Sequence, residues 1–360
     1  MWPRWIRWLL WPLEQLYAAA MRLRAAAYGR GWLKSQRLPA KVISVGNLTV
    51  GGTGKTPMVL HLARRLRERG RRVAILTRGY GRREQAPLVV NGQGEVSKYT
   101  PELMGDEPIL LARALPEVTL GIGADRAALA HQILKLEAPH PPEVFLLDDG
   151  FQHLRLKRDL DLLLIDATDP FGEGAVLPAG RLREPLGALA RADVIVLTRA
   201  VNGVPRKLEA ILRRFNPRAP LFQATTQLTE VFEAGSQRQA NLFVLKQTPA
   251  VAFCGIGNPE AFWNDLRRAG FNLTGTLAFA DHYRYGIEDF RRIIRYADSV
   301  SASALLTTEK DLINMSVVPP SLPPTFYCRM ELVLEDEPAF LAAVEERLAT
   351  PAAGLAAPAG

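Results

Sequence analysis

At 360 residues, with 48% apolar and 23% charged side chains, the chain is long enough for two cored domains and too apolar for wholesale disorder. Its two cysteines, Cys254 and Cys328, stand far apart without metal-ligand spacing, which excludes a thiolate metal site and predicts buried thiols in a reducing compartment. The net charge of +8 gathers at one end, where residues 1–40 hold seven basic side chains against Glu14 alone. That distribution reads as an arm or a membrane-surface segment. A nucleic-acid partner is not expected, because no folded stretch interleaves basic and aromatic residues.

Residues 1–37 come first in chain order. On a helical wheel Arg4, Arg7, Glu14, Gln15 and Arg22 fall within about a 100° arc. Trp2, Trp5, Ile6, Leu9, Leu10, Leu13, Leu16 and Tyr17 fill the rest, and Trp11 intrudes on the polar arc. Four of the six tryptophans lie in the first eleven residues, and tryptophan favours the lipid headgroup level. Pro12 and Glu14 interrupt the best apolar run, so neither a spanning helix nor a signal peptide is expected. The pattern predicts a pair of amphipathic helices lying in the membrane interface, with Pro12 in the first turn of the second. A helix that packs its apolar side on the core is the alternative.

Beyond it, apolar runs at 41–45, 73–77, 144–147, 160–165 and 194–197 read as buried parallel strands, with helical periodicity at 58–68 and 108–115. Strand–helix alternation predicts right-handed βαβ units, with helices on both faces of a sheet. Residues 228–245 are more polar and weakly patterned, as an interdomain connection would be. A second α/β unit follows, with strands at 251–254 and 304–307 and a helix at 259–269. The expected organisation is an N-terminal surface segment (1–37), a phosphate-loop domain (38–225), a linker (226–250), a smaller α/β domain (251–348) and an Ala/Pro/Gly-rich disordered tail (349–360).

Between the strand at 41–45 and the helix at 58–68 lies the run Thr49, Val50, Gly51, Gly52, Thr53, Gly54, Lys55 and Thr56. Its glycines let backbone N–H groups curl around phosphate oxygens at a helix N-terminus. Lys55 would reach the β- and γ-phosphates and the Thr56 hydroxyl would ligate Mg²⁺. Thr49 stands where the strict motif has glycine. The strand at 144–147 ends in Asp148 and Asp149, carboxylates placed to hold Mg²⁺ beside such a loop. A partitioning-type ATPase is the competing class, but it carries a second lysine early in the loop, where this chain has Thr49 and Val50. No residue separates Lys310 from Asp311, so a guanine-selecting motif is absent and GTP preference is unsupported.

Seven segments in order resemble the tetraacyldisaccharide 4′-kinase family, the lipid A pathway enzymes of Gram-negative bacteria. They are 45–57, 77–82, 105–108, 148–153, 178–185, 281–283 and 308–311, and the resemblance spans roughly residues 1–345. It implies an α/β fold: a phosphate-loop NTPase-type α/β/α sandwich and a second, smaller α/β domain joined by a short β linker, with an N-terminal amphipathic helix. The site would lie in the cleft between the domains. It implies ATP and Mg²⁺ as cofactors and the 4′-hydroxyl of a tetraacylated glucosamine disaccharide 1-phosphate as acceptor. The enzyme would sit peripherally at the cytoplasmic face of the inner membrane, with no obligate protein partner. Thr49 is the family's own form of the loop.

Asp106 resembles the family's catalytic aspartate and His282 its paired histidine. Read from the residues alone, Asp106-Glu107-Pro108 suits a helix N-cap and His282 an ordinary surface loop. Arg181 and Arg183 offer guanidinium forks to the γ-phosphate or the substrate's 1-phosphate, or form a solvated basic turn. Gln152 and His153 are placed near the nucleotide by analogy only, and residues 78–82 have no assigned role.

Overall fold

The computed structural model describes residues 4–91, 96–201, 203–315, 318, 319 and 321–349. The first half runs α1 (Arg4–Gly29), β1 (Lys41–Asn47), α2 (Lys55–Glu68), β2 (Val73–Thr77), β3 (Leu88–Asn91), α3 (Asp106–Ala114), β4 (Thr119–Ile122), α4 (Arg126–Leu136), β5 (Val144–Asp148), β6 (Leu160–Asp166), β7 (Val194–Thr198) and α5 (Arg206–Phe215). The second half runs β8 (Leu221–Glu233), α6 (Leu242–Gln247), β9 (Ala250–Cys254), α7 (Pro259–Arg268), β10 (Leu273–Ala278), α8 (Ile287–Ser299), β11 (Ala304–Thr308), α9 (Glu309–Ile313), β12 (Thr325–Leu334) and α10 (Glu337–Ala349). The strands read from the sequence are all present; β2 keeps its expected bounds and the others gain one or two residues.

The twelve strands of the described residues join one sheet in the order β10-β9-β11-β12-β8-β7-β6-β1-β5-β2-β4-β3. Pairing is parallel except for β3 with β4 and β8 with β12. The β8–β12 pair explains the architecture. β7 pairs with the first residues of β8 (Leu221 to Ala224), whereas β11 pairs with the first residues of β12 (Thr325 to Cys328). Because β8 and β12 are antiparallel, the two parallel half-sheets attach at opposite ends of this ribbon. Their strands then point toward each other, and their carboxyl-end loops meet. In open α/β sheets that edge is where ligands bind. The polar stretch expected as a connection holds the second half of β8, one strand of this ribbon, and the start of α6.

Side chains alternate across the first half-sheet as a strand period of two requires. Ile43, Val45, Leu162, Leu164, Val194 and Val196 pack under α2, α3 and α10. On the opposite face Val42, Ala74, Phe145 and Leu147 pack under α4, while Leu163, Ile165, Ile195 and Leu197 share a cluster with α5 and Ala18 of α1. α10, grouped with residues 251–348 in the sequence division, buries Phe340, Leu341, Val344 and Leu348 in the core around α2.

α1 corrects one expectation. It is one helix of 26 residues with Pro12 inside it, not a pair. Proline removes a single N–H, and here Pro12 lies on the exposed side, where water reaches the freed carbonyl of Trp8. The side facing the body carries Glu14, Tyr17, Ala18, Met21 and Arg24. Glu14, expected on the solvated arc, accepts a hydrogen bond from the Val176 N–H at 3.2 Å. The outer side presents Trp8 (81% exposed), Leu9, Trp11 (58%), Leu13, Leu16 and Leu23. Among the described residues no helix is long and apolar enough to cross a membrane. Trp2 and residues 350–360 lie outside the described residues.

Candidate active site

The phosphate loop leaves the central strand β1 and turns into α2. Gly54 adopts φ +84° at the helix N-cap, a conformation that costs an ordinary side chain strain, and no side chain caps the helix. The first N–H groups of α2 are thus left for an anion. The loop is held from outside. Arg181 Nε and Nη2 donate to Val50 O at 3.1 and 2.7 Å, Arg181 Nη1 donates to Asp169 at 2.6 Å, and the Val50 N–H donates to Arg181 O. Thr49 is buried in a bridge to Leu182. Arg181, expected on a phosphate, braces the loop with three of its five N–H groups, because Asp169 and the Val50 carbonyl flank it. From the other half, the loop after β9 comes so close that a Cβ at Gly257 would stand 2.7 Å from the Gly52 nitrogen. Glycine is required there.

Loop residues Val50 to Thr56 line a cleft of about 1350 Å³ together with Asp148, Asp149, Gln152, His153, Arg183, His282 and Lys310. Lys55 Nζ lies 3.4 Å from Asn47 Oδ1 and 3.5 Å from Asp149 Oδ1. Arg183 Nη1 donates to both oxygens of Asp149, at 2.9 and 2.7 Å. The two carboxylates expected as a pair thereby differ in their partners. Asp149 is neutralised by two cations, and although burial works against its charge, Lys55 and Arg183 hold its pKa below the ordinary value. Asp148 is buried, accepts from Thr77 Oγ1 at 3.1 Å, and leaves Oδ1 without a partner. Burial, reinforced by Glu107 and Asp149, pushes its carboxyl up to about 7.

An unpartnered buried carboxylate oxygen is what a hard cation would satisfy. Among the described residues no cluster of three or more histidines, cysteines or acids forms a metal cage. Magnesium needs none, since it takes one or two protein oxygens and completes its shell with water and phosphates. Asp148 and the cleft-lining Thr56 fit that requirement.

Gln152 Nε2 donates to Asn47 O at 3.0 Å, and Arg24 of α1 donates to Gln152 O at 3.0 Å. Tyr17 of α1 donates to Arg183 O at 3.0 Å, so α1 is bonded to two cleft-lining loops. Burial, with Arg126 and Arg158 adding like charge, lowers the His153 pKa to about 4, which keeps the ring neutral.

The sequence left Asp106 and His282 open; the structure brings them together. Gly105, not Asp106, is the N-cap of α3. Asp106 sits in the first turn, where the helix dipole favours a carboxylate, and its oxygens lie 3.0 and 2.8 Å from His282 Nδ1. Asn314 Nδ2 donates to Asp106 Oδ2 at 2.9 Å. Burial alone would raise the Asp106 pKa, but the His282 hydrogen bond and the Lys310 charge outweigh it and hold the carboxyl at about 2. Burial likewise disfavours the charged His282 ring, yet Asp106 and Asp281 raise its pKa above the ordinary value, against the opposing charge of Lys310. His282 has φ +58°, an uncommon conformation for a residue with a side chain, and the Tyr80 ring packs 5.3 Å from the imidazole. Tyr80 gives the 78–82 segment a structural place beside the dyad. Sequence reasoning missed Lys310, Asp281 and Asn314 as its companions; the 308–311 and 281–283 segments were the available signals for the first two, and Asn314 had none.

Comparison with known proteins agrees with this geometry. A model of the family described as LpxK, tetraacyldisaccharide-1-P 4′-kinase, matches residues 6–349. The tetraacyldisaccharide 4′-kinase of Geobacter metallireducens is 42% identical over 335 residues, covering 92% of this chain and 95% of that protein. The one from Geobacter sulfurreducens is 41% identical over 317 residues, covering 88% and 86%. Among solved structures, the "apo" form of LpxK from Aquifex aeolicus in complex with ATP matches with a TM-score of 0.74 at 33% identity, over 95% of this chain and 99% of that one. Fold, site and near-complete coverage agree, and the chain belongs to the LpxK family of tetraacyldisaccharide-1-P 4′-kinases.

Proposed function

We propose that this kinase moves the γ-phosphoryl group of ATP to the 4′-hydroxyl of a tetraacylated glucosamine disaccharide 1-phosphate, with the Asp106–His282 pair receiving the hydroxyl proton. The observation that carries this reading is the dyad itself, a buried carboxylate on Nδ1 of a histidine that lines the same cleft as the phosphate loop. A carboxylate so placed fixes the tautomer, leaving Nε2 as the acceptor, and makes the ring a stronger base. A sugar hydroxyl is a poor nucleophile at neutral pH, so removing its proton as the bond to phosphorus forms is the chemistry this pair can supply.

In this reading Val50 to Thr56 cradle the β- and γ-phosphates through backbone N–H groups, and Lys55 leaves Asp149 to follow the transferred group. Arg183 is a phosphate ligand once it releases Asp149, while Arg181 acts by shaping the loop. Gln152 and His153 border the nucleotide. Asp148 and Thr56 would hold Mg²⁺, whose charge would offset that on the phosphates. The division into units 38–225 and 251–348 belongs to this proposal, amended so that α10 goes with the first. The exposed aromatic side of α1 supports a peripheral seat on a membrane surface, which in this reading is the cytoplasmic face of the inner membrane. The acyl chains then stay in lipid and only the sugar enters the cleft.

The test is incubation of the purified protein with γ-labelled ATP and tetraacyldisaccharide 1-phosphate. Label appearing in the lipid, at the 4′ position of the product, supports the proposal. ATP consumed without lipid labelling overturns it.

A further inference from the structure

The nitrogen of His282 that faces the cleft already has a neighbour. With Nδ1–H given to Asp106, a neutral imidazole keeps one lone pair, on Nε2, and the acceptor hydroxyl must reach that lone pair. The Lys310 ammonium stands 3.4 Å from it. The same Nζ is 2.9 Å from Asp281 Oδ1 and 3.9 Å from Asp106 Oδ2, and the side chain is only 14% exposed. Burial works against its charge, but Asp106, Glu107 and Asp281 together keep it protonated. The helix that carries it is anchored by a neighbouring buried acid. Asp311 accepts from the Gly255 N–H at 2.7 Å, from Tyr285 Oη at 2.8 Å and from Thr308 Oγ1 at 2.5 Å, tying α9 to the loops that flank His282.

We propose that Lys310 is a positioning residue for His282: it occupies the Nε2 lone pair until the acceptor hydroxyl displaces it, and afterwards drives off the proton that the ring has taken. This rests on the reading of His282 as the base. The hydroxyl oxygen bonds to the γ-phosphorus as the bond from that phosphorus to the bridging oxygen breaks. ADP leaves with that electron pair, and the hydroxyl proton passes to Nε2. The imidazolium then lies beside an ammonium, and like-charge repulsion favours release of its proton to water. The residue thus protects an idle base and resets a used one.

The groups that face His282 are Asp106 from α3, Lys310 from α9, Asp281 from its own loop, and the uncharged Tyr80 ring; Glu107 acts on Lys310. The test follows the His282 midpoint by NMR in histidine-labelled full-length protein, alongside the acid limb of kcat/KM. Lys310→Met should move both up by at least about one pH unit, the scale of a charge pair at this range even in bulk water. Lys310→Arg keeps the charge and should restore the wild-type midpoint, whereas Asp281→Asn should move it down. A residue that only supports the fold would lose rate without moving the midpoint. An unmoved or lowered midpoint in Lys310→Met overturns the proposal even where turnover is lost. If Asp106→Asn also leaves the wild-type limb in place, it is the assignment of the base that fails.

Discussion

Replacing Trp8 and Trp11 together by serine should loosen the protein from lipid without loosening its fold. Both rings lie on the outer side of α1, 81% and 58% exposed, while the side that faces the body is formed by Glu14, Tyr17, Ala18, Met21 and Arg24. A large apolar side chain contributes about 2 kcal/mol when fully removed from water. Scaled by exposure, the pair is worth about 3 kcal/mol at a membrane surface, or roughly a hundredfold in partitioning. Flotation with vesicles rich in anionic lipid, at low and high salt, reads this directly, and a thermal melt reads the fold. The reasoning predicts a large loss of flotation with an unchanged melting temperature, and a raised apparent KM for lipid substrate with KM for ATP unaffected. A variant that floats like the wild type, or one that melts several degrees lower, would show that these rings serve the body of the protein instead.

Two further outcomes follow from the site. Lys55→Ala should abolish transfer while the fold persists, because a phosphate-loop lysine offsets charge that develops on the transferred group, worth several kcal/mol; near wild-type turnover in the purified variant would rule out the loop assignment. Asp106→Asn should lose pH-dependent stability. The folded carboxyl lies at about 2 against 3.8 unperturbed, so its contribution of about 2 kcal/mol is present above the unfolded value and lost as pH falls through the folded one. Urea unfolding of wild type and variant should therefore differ at neutral pH and converge as the medium approaches the folded value; a gap independent of pH would contradict the assigned hydrogen bond from His282 and the influence of the Lys310 charge on Asp106.

What the sequence made legible was local. A strand, a glycine-rich turn and a helix with proline in its first turn sit in consecutive residues, so β1, the phosphate loop and α2 could be read directly. Asp148 and Asp149 announced themselves at a strand end, but their different surroundings come from Thr77 and Arg183, both distant in sequence. The same holds for Lys310. In sequence it is one lysine in a charged segment, and its meaning comes from Asp106 and Asp281, brought to it by the meeting of the two half-sheets. The ribbon of β8 and β12 was obscured because neither LFQATTQLTEVFE nor TFYCRMELVL keeps a period-two alternation, and much of β8 is only half-buried. The return of α10 was obscured because Phe340, Leu341 and Val344 specify an apolar helix face, not which half of the molecule it covers. Pro12 misled because proline in an exposed helix costs one hydrogen bond that water can replace.

The central claim is that Asp106 and His282 act as one base in the cleft of the phosphate loop, and single-turnover transfer to the lipid acceptor tests it most directly. Asp106→Asn and His282→Ala should each slow the chemical step by roughly 10²–10⁴-fold. The double variant should be little slower than the worse single one, because removing either partner already disables the pair. Fully additive losses in the double variant, or a His282→Ala protein that transfers phosphate at the wild-type rate, would contradict the account.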